Sequence, residues 1–375
     1  MSQRRILIAV SGLSPQVITE TLYALAVAPD VSNRFIPGEI HVVTTDQGAD
    51  RIKLLLLSEK PGWFHRMRQD FNLPEILFDT STIHTVVNQH NETLDDIRNA
   101  DDNNRVADKL TQLIAAFTHD PDTALHVSIA GGRKTMGFFA GYALSLFARP
   151  QDRLSHVLIS PEFESHPEFF YPTPYQHIII GRDPGSTPLD AQTATVDLAE
   201  LPVVSLRNGL PEKVLSGDAS YSEAVAQARR ALSPPKLEIN TDLRTLHCAD
   251  IAITLTPRDF AFYLWFVHRL QSGRPDIKPN EPLAAEQYLQ LCAAIMNTMD
   301  AHLETIQTAL ANGMSAEYFR QRRSTTNKAL RKALGSQLAE TYLIASLGSN
   351  NKKHYRLSVT PADTTILGPL KRQIP

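Results

Sequence analysis

The residues best suited to chemistry in this chain form one short run, from Ser128 to Met136. The run reads Ser-Ile-Ala-Gly-Gly-Arg-Lys-Thr-Met and joins a short apolar stretch to a longer one whose large apolar residues have helical spacing. A strand that turns through two glycines into a helix favours an anion, because the backbone can approach closely and the helix N-terminus offers unpaired N–H groups. Arg133 and Lys134 add positive charge there. The sequence therefore predicts a site for a phosphate-bearing ligand at this turn.

Two common nucleotide-binding motifs do not account for this turn. A Walker A loop requires a glycine immediately before its lysine, and Arg133 occupies that position. A dinucleotide-binding fingerprint requires the pattern G-x-G-x-x-G after a strand, and the sequence has no such pattern here. The second absence also argues against a small-molecule oxidoreductase.

Two other polar turns follow apolar stretches of the same kind. Arg5 to Val10 predicts a buried parallel strand, which is followed by the turn Ser11 to Gln16. Ile40 to Val43 predicts another strand, which is followed by Thr44 to Gly48. Ligands of open α/β sheets bind beyond the carboxyl ends of the strands, so we expect the three turns to converge on one site.

Taken together, these motifs resemble a known family. The sequence Ser-Pro-Gln-Val-Ile-Thr-Glu-Thr after the first strand, paired with Gly-Gly-Arg-Lys-Thr-Met after a central strand, resembles the CRISPR-associated Rossmann-fold (CARF) domain of the type III ring-nuclease branch. The resemblance covers roughly residues 1 to 210 and includes Val203 to Arg207. It implies an α/β fold with a Rossmann-like, mostly parallel sheet. It also implies that the protein binds cyclic oligoadenylate and opens the ring, which switches off type III CRISPR signalling.

The resemblance and the residue types together assign candidate roles. In ring opening, the ribose 2′-OH attacks its own adjacent phosphate and leaves a 2′,3′-cyclic phosphate, so neither a protein nucleophile nor a metal ion is needed. Lys134 is the candidate that stabilises charge on the reacting phosphate. The resemblance favours a catalytic serine in the first turn, either Ser11 or Ser14. Ser14 has the alternative role of capping a helix predicted over 17–28, with Pro15 at its first position.

The other ligand-binding candidates have two kinds of expected role. Gly131, Gly132 and Thr135 would give backbone and hydroxyl contacts, and the candidates for reading adenine edges are Gln16, Thr45, Asp46 and Gln47. For Asp46, the role of a turn residue is an alternative. These candidates are Gly12, Gln16, Thr45, Asp46, Gln47, Ser128, Gly131, Gly132, Arg133 and Thr135.

The symmetry of such a ligand predicts a homodimer. One sheet edge presents half of a two-fold symmetric ring, and a C₂ axis through the ring would bring two copies of Lys134 and Ser11 to opposite phosphates. Four adenylates fit this symmetry and the resemblance best, and six also fit.

Length and composition predict a two-domain protein of the cytoplasm. The chain has 375 residues, and no apolar run approaches the roughly 18 residues of a membrane span. The N-terminus has no signal-peptide pattern. Cys248 and Cys292 are too few for a disulfide framework or a zinc cluster, and the thirteen histidines lack metal-binding spacing. No metal and no cofactor is predicted.

The segment from Pro161 to Pro174 is rich in aromatic and acidic residues. Strands predicted over 154–160 and 176–180 flank it, so we expect a long hairpin that reaches away from the sheet. Its aromatic side chains suit a lid over the ligand edge, and they equally suit a dimer arm or a packed loop. These side chains are Phe163, Phe169, Phe170 and Tyr171.

The last third of the chain predicts a different architecture. A strand over 251–255 comes before an apolar helix over 260–270, for which Thr256 is the predicted cap. Further helical patterns follow, then a basic helix that Ser315 caps and that stops at Gly335, and a hairpin over 342–359. This order describes a winged helix-turn-helix. The predicted organisation is a CARF-type domain over 1–215, a connecting segment over 216–250 and a mainly helical, winged-helix-like domain over 251–375.

Positive charge is concentrated in that last third. Between residues 316 and 356, nine Lys and Arg side chains face two Glu side chains, whereas the whole chain has a net charge of −3. Such a concentration is typical of contact with a nucleic-acid backbone, and dimerisation is the alternative. Base contacts are expected among residues 324–327. The phosphate-contacting candidates are Arg320, Arg322, Arg323, Lys328, Arg331, Lys352 and Lys353.

Three functions are compatible with the sequence. The first is a ring nuclease, and the second is a cyclic-oligoadenylate-gated regulator that binds duplex DNA without cutting the ring. The third is a scaffold whose basic domain holds an effector or RNA. Neither a HEPN-type R-x₄₋₆-H pair nor a D-x-x-K nuclease pattern stands out in the last third, so no separate nuclease is assigned to it.

Overall fold

The computed structural model describes residues 3–28, 34–180, 187–278, 281–296, 301–349 and 353–368. The chain folds into two compact units. The first comprises Met1–Arg207 with Lys213–Ala224, and the second comprises Asn208–Glu212 with Val225–Pro375. Within the described residues, no helix combines the length and the apolar character needed to cross a membrane.

The first unit is built on a six-stranded, mostly parallel sheet. The strands that the structure describes in this unit are β1 Arg4–Val10, β2 Glu39–Thr44, β3 Ile83–Thr85, β4 Thr123–Ser128, β5 Arg153–Ile159, β6 Ile178–Ile180, β7 Pro188–Asp190 and β8 Val196–Leu201. The sheet order is β3-β2-β1-β4-β5-β8, and only β8, at one edge, is antiparallel to its neighbour. Strands β6 and β7 form a separate antiparallel pair. The predicted mostly parallel α/β sheet is confirmed.

Helices cover this sheet. They are α1 Gln16–Ala26, α2 Asp46–Ile52, α3 Trp63–Asp70, α4 Ala100–His119 and α5 Lys134–Phe147. Residues Ile6 to Val10 of β1 are at most 2% exposed, as expected of a parallel strand that is buried on both faces. Leu7 and Ala9 pack with Ile18 and Leu22 of α1 on one face. The alternation of side chains along a strand turns the other residues of β1 to the opposite face.

The segment after β5 is not the long hairpin that the sequence predicts. Strand β5 pairs with β8, and β6 pairs with β7. The four aromatic side chains of the segment are at most 4% exposed, and Phe170 stacks on Trp63 with 4.8 Å between the ring centroids. Burying rings of this size removes a large apolar area from water, which favours a packed segment over one that extends into solvent. The aromatic side chains of the segment are therefore packed within the first unit, which agrees with the packed-loop alternative.

In its described residues, the second unit combines a four-stranded sheet, a hairpin and five helices. Its strands are β9 Leu237–Asn240, β10 Thr245–Cys248, β11 Ile251–Thr254, β12 Ile344–Leu347, β13 His354–Leu357 and β14 Thr364–Leu367. After the short helices α6 Glu212–Leu215 and α7 Tyr221–Leu232, which contain residues of both units, its helices are α8 Pro257–Gln271, α9 Ala284–Ile295, α10 Ala301–Leu310, α11 Ala316–Leu334 and α12 Ser336–Glu340. The four-stranded sheet has the order β11-β10-β9-β14.

Helix caps in the second unit agree with the sequence. Thr256 accepts a hydrogen bond from the Asp259 N–H at the start of α8, and Ser315 accepts one from the Tyr318 N–H at the start of α11. Helix α11 ends at Gly335, and β12 pairs antiparallel with β13. Strands β9 and β10 lie within residues 216–250, which the sequence analysis treats as a connection.

Candidate functional site

The turns that follow β1, β2 and β4 meet through their backbones. A Cβ atom on Gly12 would lie 3.6 Å from the Cα of Gly132, and one on Gly48 would lie 2.9 Å from the Gly12 carbonyl oxygen. The Ser11 N–H also donates to the Val43 carbonyl at 3.2 Å. The three turns therefore lie side by side at the carboxyl edge of the sheet, and the close approach at Gly48 requires a glycine.

The turn after β4 depends on both of its glycines. A Cβ atom on Gly131 would lie 2.6 Å from the Val10 carbonyl oxygen, which is closer than real contacts allow. Gly132 has a φ of +74°, in the left-handed region that favours glycine. The next residue, Arg133, is the N-cap of α5, so the helix begins immediately after the glycine turn.

Lys134 is the first residue of α5 and is exposed. In the part of the chain that the structure describes, no carboxylate pairs with its ammonium group. Thr135 is exposed beside it. An unpaired cation at a helix N-terminus attracts an anion, because the side-chain charge and the free N–H groups act in the same direction.

Arg133 differs from its neighbour because it has a counter-ion. Its guanidinium makes a bidentate contact with Asp96, in which Nε donates to Oδ1 at 2.9 Å and the second terminal nitrogen donates to Oδ2. The hydrogen bond from Arg133 lowers the pKa of Asp96 below its ordinary value. The sequence analysis missed Asp96, because it lies 37 residues away in a loop and no motif contains it.

The two candidate serines occupy different environments. Ser11 is fully buried, and its Oγ is 3.4 Å from the Gly12 carbonyl oxygen. Ser14 is exposed. Pro15 is the N-cap of α1 and no side chain caps that end, so the alternative role of Ser14 as a helix cap is wrong.

Several other candidates hold the turns in place. Ser128 is buried, with its Oγ 3.1 Å from the Thr21 Oγ1 of α1. Thr45 is the N-cap of α2 and accepts from the Gly48 N–H at 3.4 Å. Asp46 is the first residue of α2 rather than part of a free turn, and the neighbouring Gln47 is exposed.

A cavity of about 160 Å³ opens at the same edge of the sheet, beside Ser14 and Ala130. Gln16 and Glu20 of α1 line it, and both side chains are buried. Burial raises the pKa of the Glu20 carboxyl from 4.5 to about 8. The sequence analysis missed Glu20, although the residues on both sides of it in α1 are buried. Among the described residues, no three His, Cys, Asp or Glu side chains are grouped so that they could hold a metal ion.

The basic residues of α11 and the hairpin do not form one uniform surface. Arg322 pairs at 3.1 Å with Asp259, and both side chains are nearly buried. Arg331 pairs with Glu340 at 2.9 Å, and Arg323 lies 5.0 Å from the centre of the Tyr355 ring. The exposed candidates are Arg320, Lys328, Arg331 and Lys353, whereas Lys352 lies outside the described residues.

The expected base contacts on α11 are partly wrong. Thr326 is fully buried and Asn327 is 7% exposed. The Asn327 amide donates to the Ile344 carbonyl and accepts from the Ile344 N–H, both at 3.1 Å. Asn327 therefore holds β12 against α11, whereas Thr326 is buried within the second unit. Ser324 and Thr325 are the exposed polar residues of the predicted set.

Comparison with known proteins places these observations in context. Residues 14–234 match the family described as CRISPR-associated protein NE0113. A search of curated proteins finds no match.

Two solved structures show weak similarity to the chain. One is Csm6 of Enterococcus italicus bound to cyclic hexa-2′-fluoro-hexa-dAMP, with 11% identity and a TM-score of 0.27; the alignment covers 88% of this chain and 58% of that one. The other is Can2 from Sulfobacillus thermosulfidooxidans in complex with cyclic tetra-adenylate, with 11% identity and a TM-score of 0.23; the alignment covers 94% of this chain and 74% of that one. Structures this distant assign neither a ligand nor an activity to the chain.

Proposed function

The chain belongs to the family of CRISPR-associated protein NE0113, and from this premise we propose that it is a ring nuclease of type III CRISPR defence. Its first unit, a CARF-type domain over 1–215, would bind cyclic oligoadenylate at the carboxyl edge of the sheet and open the ring. Opening the ring removes the signal, so the protein would act in the cytoplasm to switch the response off.

The observation that carries this proposal is the unpaired charge of Lys134. The ammonium group stands at the N-terminus of α5, on a glycine turn whose backbone lies against the turn that carries Ser14. A phosphate placed there would meet both the helix N–H groups and the lysine. Lys134 would stabilise the charge that develops on the phosphate, and Ser14 would orient the ribose or a phosphate oxygen.

The reaction balances without a protein nucleophile. The ribose 2′-oxygen forms a bond to the adjacent phosphorus while the bond to the 5′-oxygen of the next nucleotide breaks. The proton of the 2′-hydroxyl leaves as the attack proceeds, and a proton is taken up by the departing 5′-oxygen. The products are a 2′,3′-cyclic phosphate and a 5′-hydroxyl, and the attacking group belongs to the substrate.

A homodimer completes the site in this proposal. Two large apolar side chains flank the edge of the sheet, Leu13 in the first turn and Phe138 one helical turn beyond Lys134, and each is 59% exposed. Apolar side chains at this exposure suit contact with a second copy. A C₂ axis between two such edges would place one Lys134 on each side of a cyclic tetra-adenylate.

The test is cleavage of radiolabelled cyclic tetra-adenylate in the presence of EDTA, with binding measured separately. Lys134→Ala should slow cleavage by about 10²-fold or more, because the lost charge acts on the reacting phosphate. Arg133→Ala is the matched control, and it should keep most of the rate because Asp96 already balances that charge. Ser14→Ala should slow cleavage without destabilising the fold, since Ser14 caps no helix.

If the wild-type protein binds the ring tightly and leaves it intact over hours, the ring-nuclease proposal fails. A ligand-gated DNA-binding regulator would then take its place. The exposed cations Arg320, Lys328 and Lys353 of the second unit favour that second candidate. In it, α11 and the β12–β13 hairpin would serve as the recognition helix and wing of a winged helix-turn-helix over 251–375.

A further inference from the structure

The cavity beside Ser14 is lined by polar side chains from three parts of the first unit. Gln16 and Glu20 come from α1, His156 comes from β5, and Glu164 and Ser165 come from the segment that follows β5. Glu164, Ser165 and Ser14 are exposed, whereas Gln16 is 9% and Glu20 5% exposed. Apolar residues, among them Val17, Val157 and Ile159, complete the lining. We call the exposed polar side chains the rim of the cavity and the buried polar side chains its floor.

Two buried polar atoms that belong to this lining have no partner. The Gln16 Oε1 and the His156 Nδ1 are buried and make no hydrogen bond within the described part of the chain. The Gln16 amide nitrogen donates to the Pro167 carbonyl at 2.8 Å, which leaves the amide oxygen as the free end of the side chain. Buried polar atoms without partners are uncommon because they lose their hydration, so a cavity with two of them favours a ligand that carries hydrogen-bonding groups.

Glu20 adds a third polar group to the floor. Its carboxyl makes no hydrogen bond to a described residue. Burial raises the pKa of this carboxyl to about 8, so its neutral form prevails at neutral pH. A neutral carboxyl offers one O–H donor beside one carbonyl acceptor, whereas a carboxylate offers acceptors only. At neutral pH the floor thus presents a donor next to two acceptors, the Glu20 carbonyl and the Gln16 oxygen.

We propose that this cavity is a nucleobase subsite for adenine, in which the buried carboxyl of Glu20 and the unpartnered amide oxygen of Gln16 recognise the edge of the base. The inference rests on the proposed function and specifies that the base of the ligand enters this cavity. Adenine presents the acceptor N7 beside the donor N6–H₂, which a neutral carboxyl matches through two hydrogen bonds. Guanine presents two acceptors on that edge, N7 and O6, so one Glu20 oxygen would face O6 without a proton.

The proposal makes the affinity depend on pH. Only the neutral form of Glu20 donates to N7. The affinity for the ring should therefore be highest at pH values below the pKa of Glu20 in the unliganded protein and should fall above that pKa. With a pKa of about 8, the affinity should fall about tenfold between pH 7 and pH 9. His156 and Glu164 are the other titratable groups that face the cavity, so each needs its own control.

The experiment measures binding from pH 6 to pH 9.5 on the full-length protein. The probe is cyclic tetra-adenylate with fluorine in place of each 2′-hydroxyl, which cannot open because it lacks the attacking group. Glu20→Gln should keep the affinity at pH 7 within a few-fold and abolish its loss at pH 9, because an amide offers the same donor and acceptor and does not titrate. Glu164→Gln and His156→Gln should retain the loss. Thermal melting shows that each variant is folded.

Other results separate this inference from the proposed function. Absence of binding by the wild-type protein at every pH overturns the proposed function and the subsite with it. Binding that is unchanged between pH 7 and pH 9 overturns the subsite alone, as does an unaltered pH profile in Glu20→Gln. Loss of the pH dependence in Glu164→Gln would show that Glu164, at the rim, is the titrating group, and it would overturn the role of Glu20.

Discussion

Lys134 and Arg133 are adjacent in the chain and differ in what surrounds them. Asp96 holds the guanidinium of Arg133, whereas no described carboxylate pairs with Lys134. The sequence motif alone does not distinguish the two cations, because Asp96, the partner of Arg133, lies in a loop that is distant in the chain. In the proposed function the unpaired lysine acts on the reacting phosphate, whereas Asp96 already balances the charge of its neighbour Arg133.

Gly131 gives a residue-scale prediction. Gly131→Ala should destabilise the protein by about 1–3 kcal/mol, because its Cβ would lie 2.6 Å from the Val10 carbonyl oxygen and the backbone must shift. Gly137→Ala in α5 is the matched control: its Cβ would be 3.4 Å from that of Ile129, and alanine favours a helix by up to about 1 kcal/mol. Thermal unfolding of both variants tests this, and equal melting temperatures would contradict it.

The sequence predicts residues whose role follows from local pattern. The glycine turn, the position of Lys134 at the start of a helix and the caps Thr256 and Ser315 all depend on neighbours within a few positions. Glu20 is different, because a glutamate inside a helix usually faces solvent. Its burial depends on how α1 packs in the first unit, and that information is spread along the chain.

At the scale of elements, α11 shows a signal that the sequence analysis did not use. Its buried residues Phe319, Thr326, Asn327, Leu330 and Leu334 follow helical spacing along one face. Extending the apolar stripe of Phe319, Leu330 and Leu334 through positions 326 and 327 would have assigned those two polar residues to the interior. The predicted hairpin after β5 failed for another reason, since strand pairing between distant segments cannot be read from local pattern.

Asn327 gives a prediction at this scale. Asn327→Ala should destabilise the contact of α11 with β12 by about 2–3 kcal/mol, because the Ile344 N–H and carbonyl would be buried without partners. Amide hydrogen exchange in β12 and β13 should accelerate. The exposed Ser324→Ala on the same helix is the control and should alter exchange little. Unchanged protection of β12 in the Asn327 variant would show that the two hydrogen bonds do not hold the hairpin.

At the scale of the whole molecule, charge is unevenly distributed. The chain is slightly acidic, with a net charge of −3, yet α11 and the hairpin carry exposed cations. Arg322 and Arg331 are paired with acids, so the surface offered to a polyanion is smaller than the nine basic residues between 316 and 356 indicate.

This distribution predicts salt-dependent binding of the full chain to duplex DNA. Reversing Arg320, Lys328 and Lys353 to Glu should reduce the slope of log affinity against log salt by about 3, since each phosphate contact contributes about 0.9. The control reverses Arg51, Lys60 and Lys213, three exposed cations of the first unit, and changes the net charge equally. Titrations at several salt concentrations compare the two. An equal loss in both would indicate a general charge effect and favour a dimerisation role for the hairpin.

At this edge of the sheet, the backbone around Gly12, Gly48 and Gly132 sets the shape of the turns, and other residues supply the exposed side chains. The exposed side chains here include those of Ser14, Gln47 and Lys134. Because they are exposed, replacing them should not alter the backbone of the turns. In the proposed function, substitutions at these three positions would change which anion is bound and leave the backbone intact, whereas a side chain at Gly48 or Gly132 would disturb the backbone for every anion. A site arranged in this way can diverge in specificity within a lineage without first losing its fold.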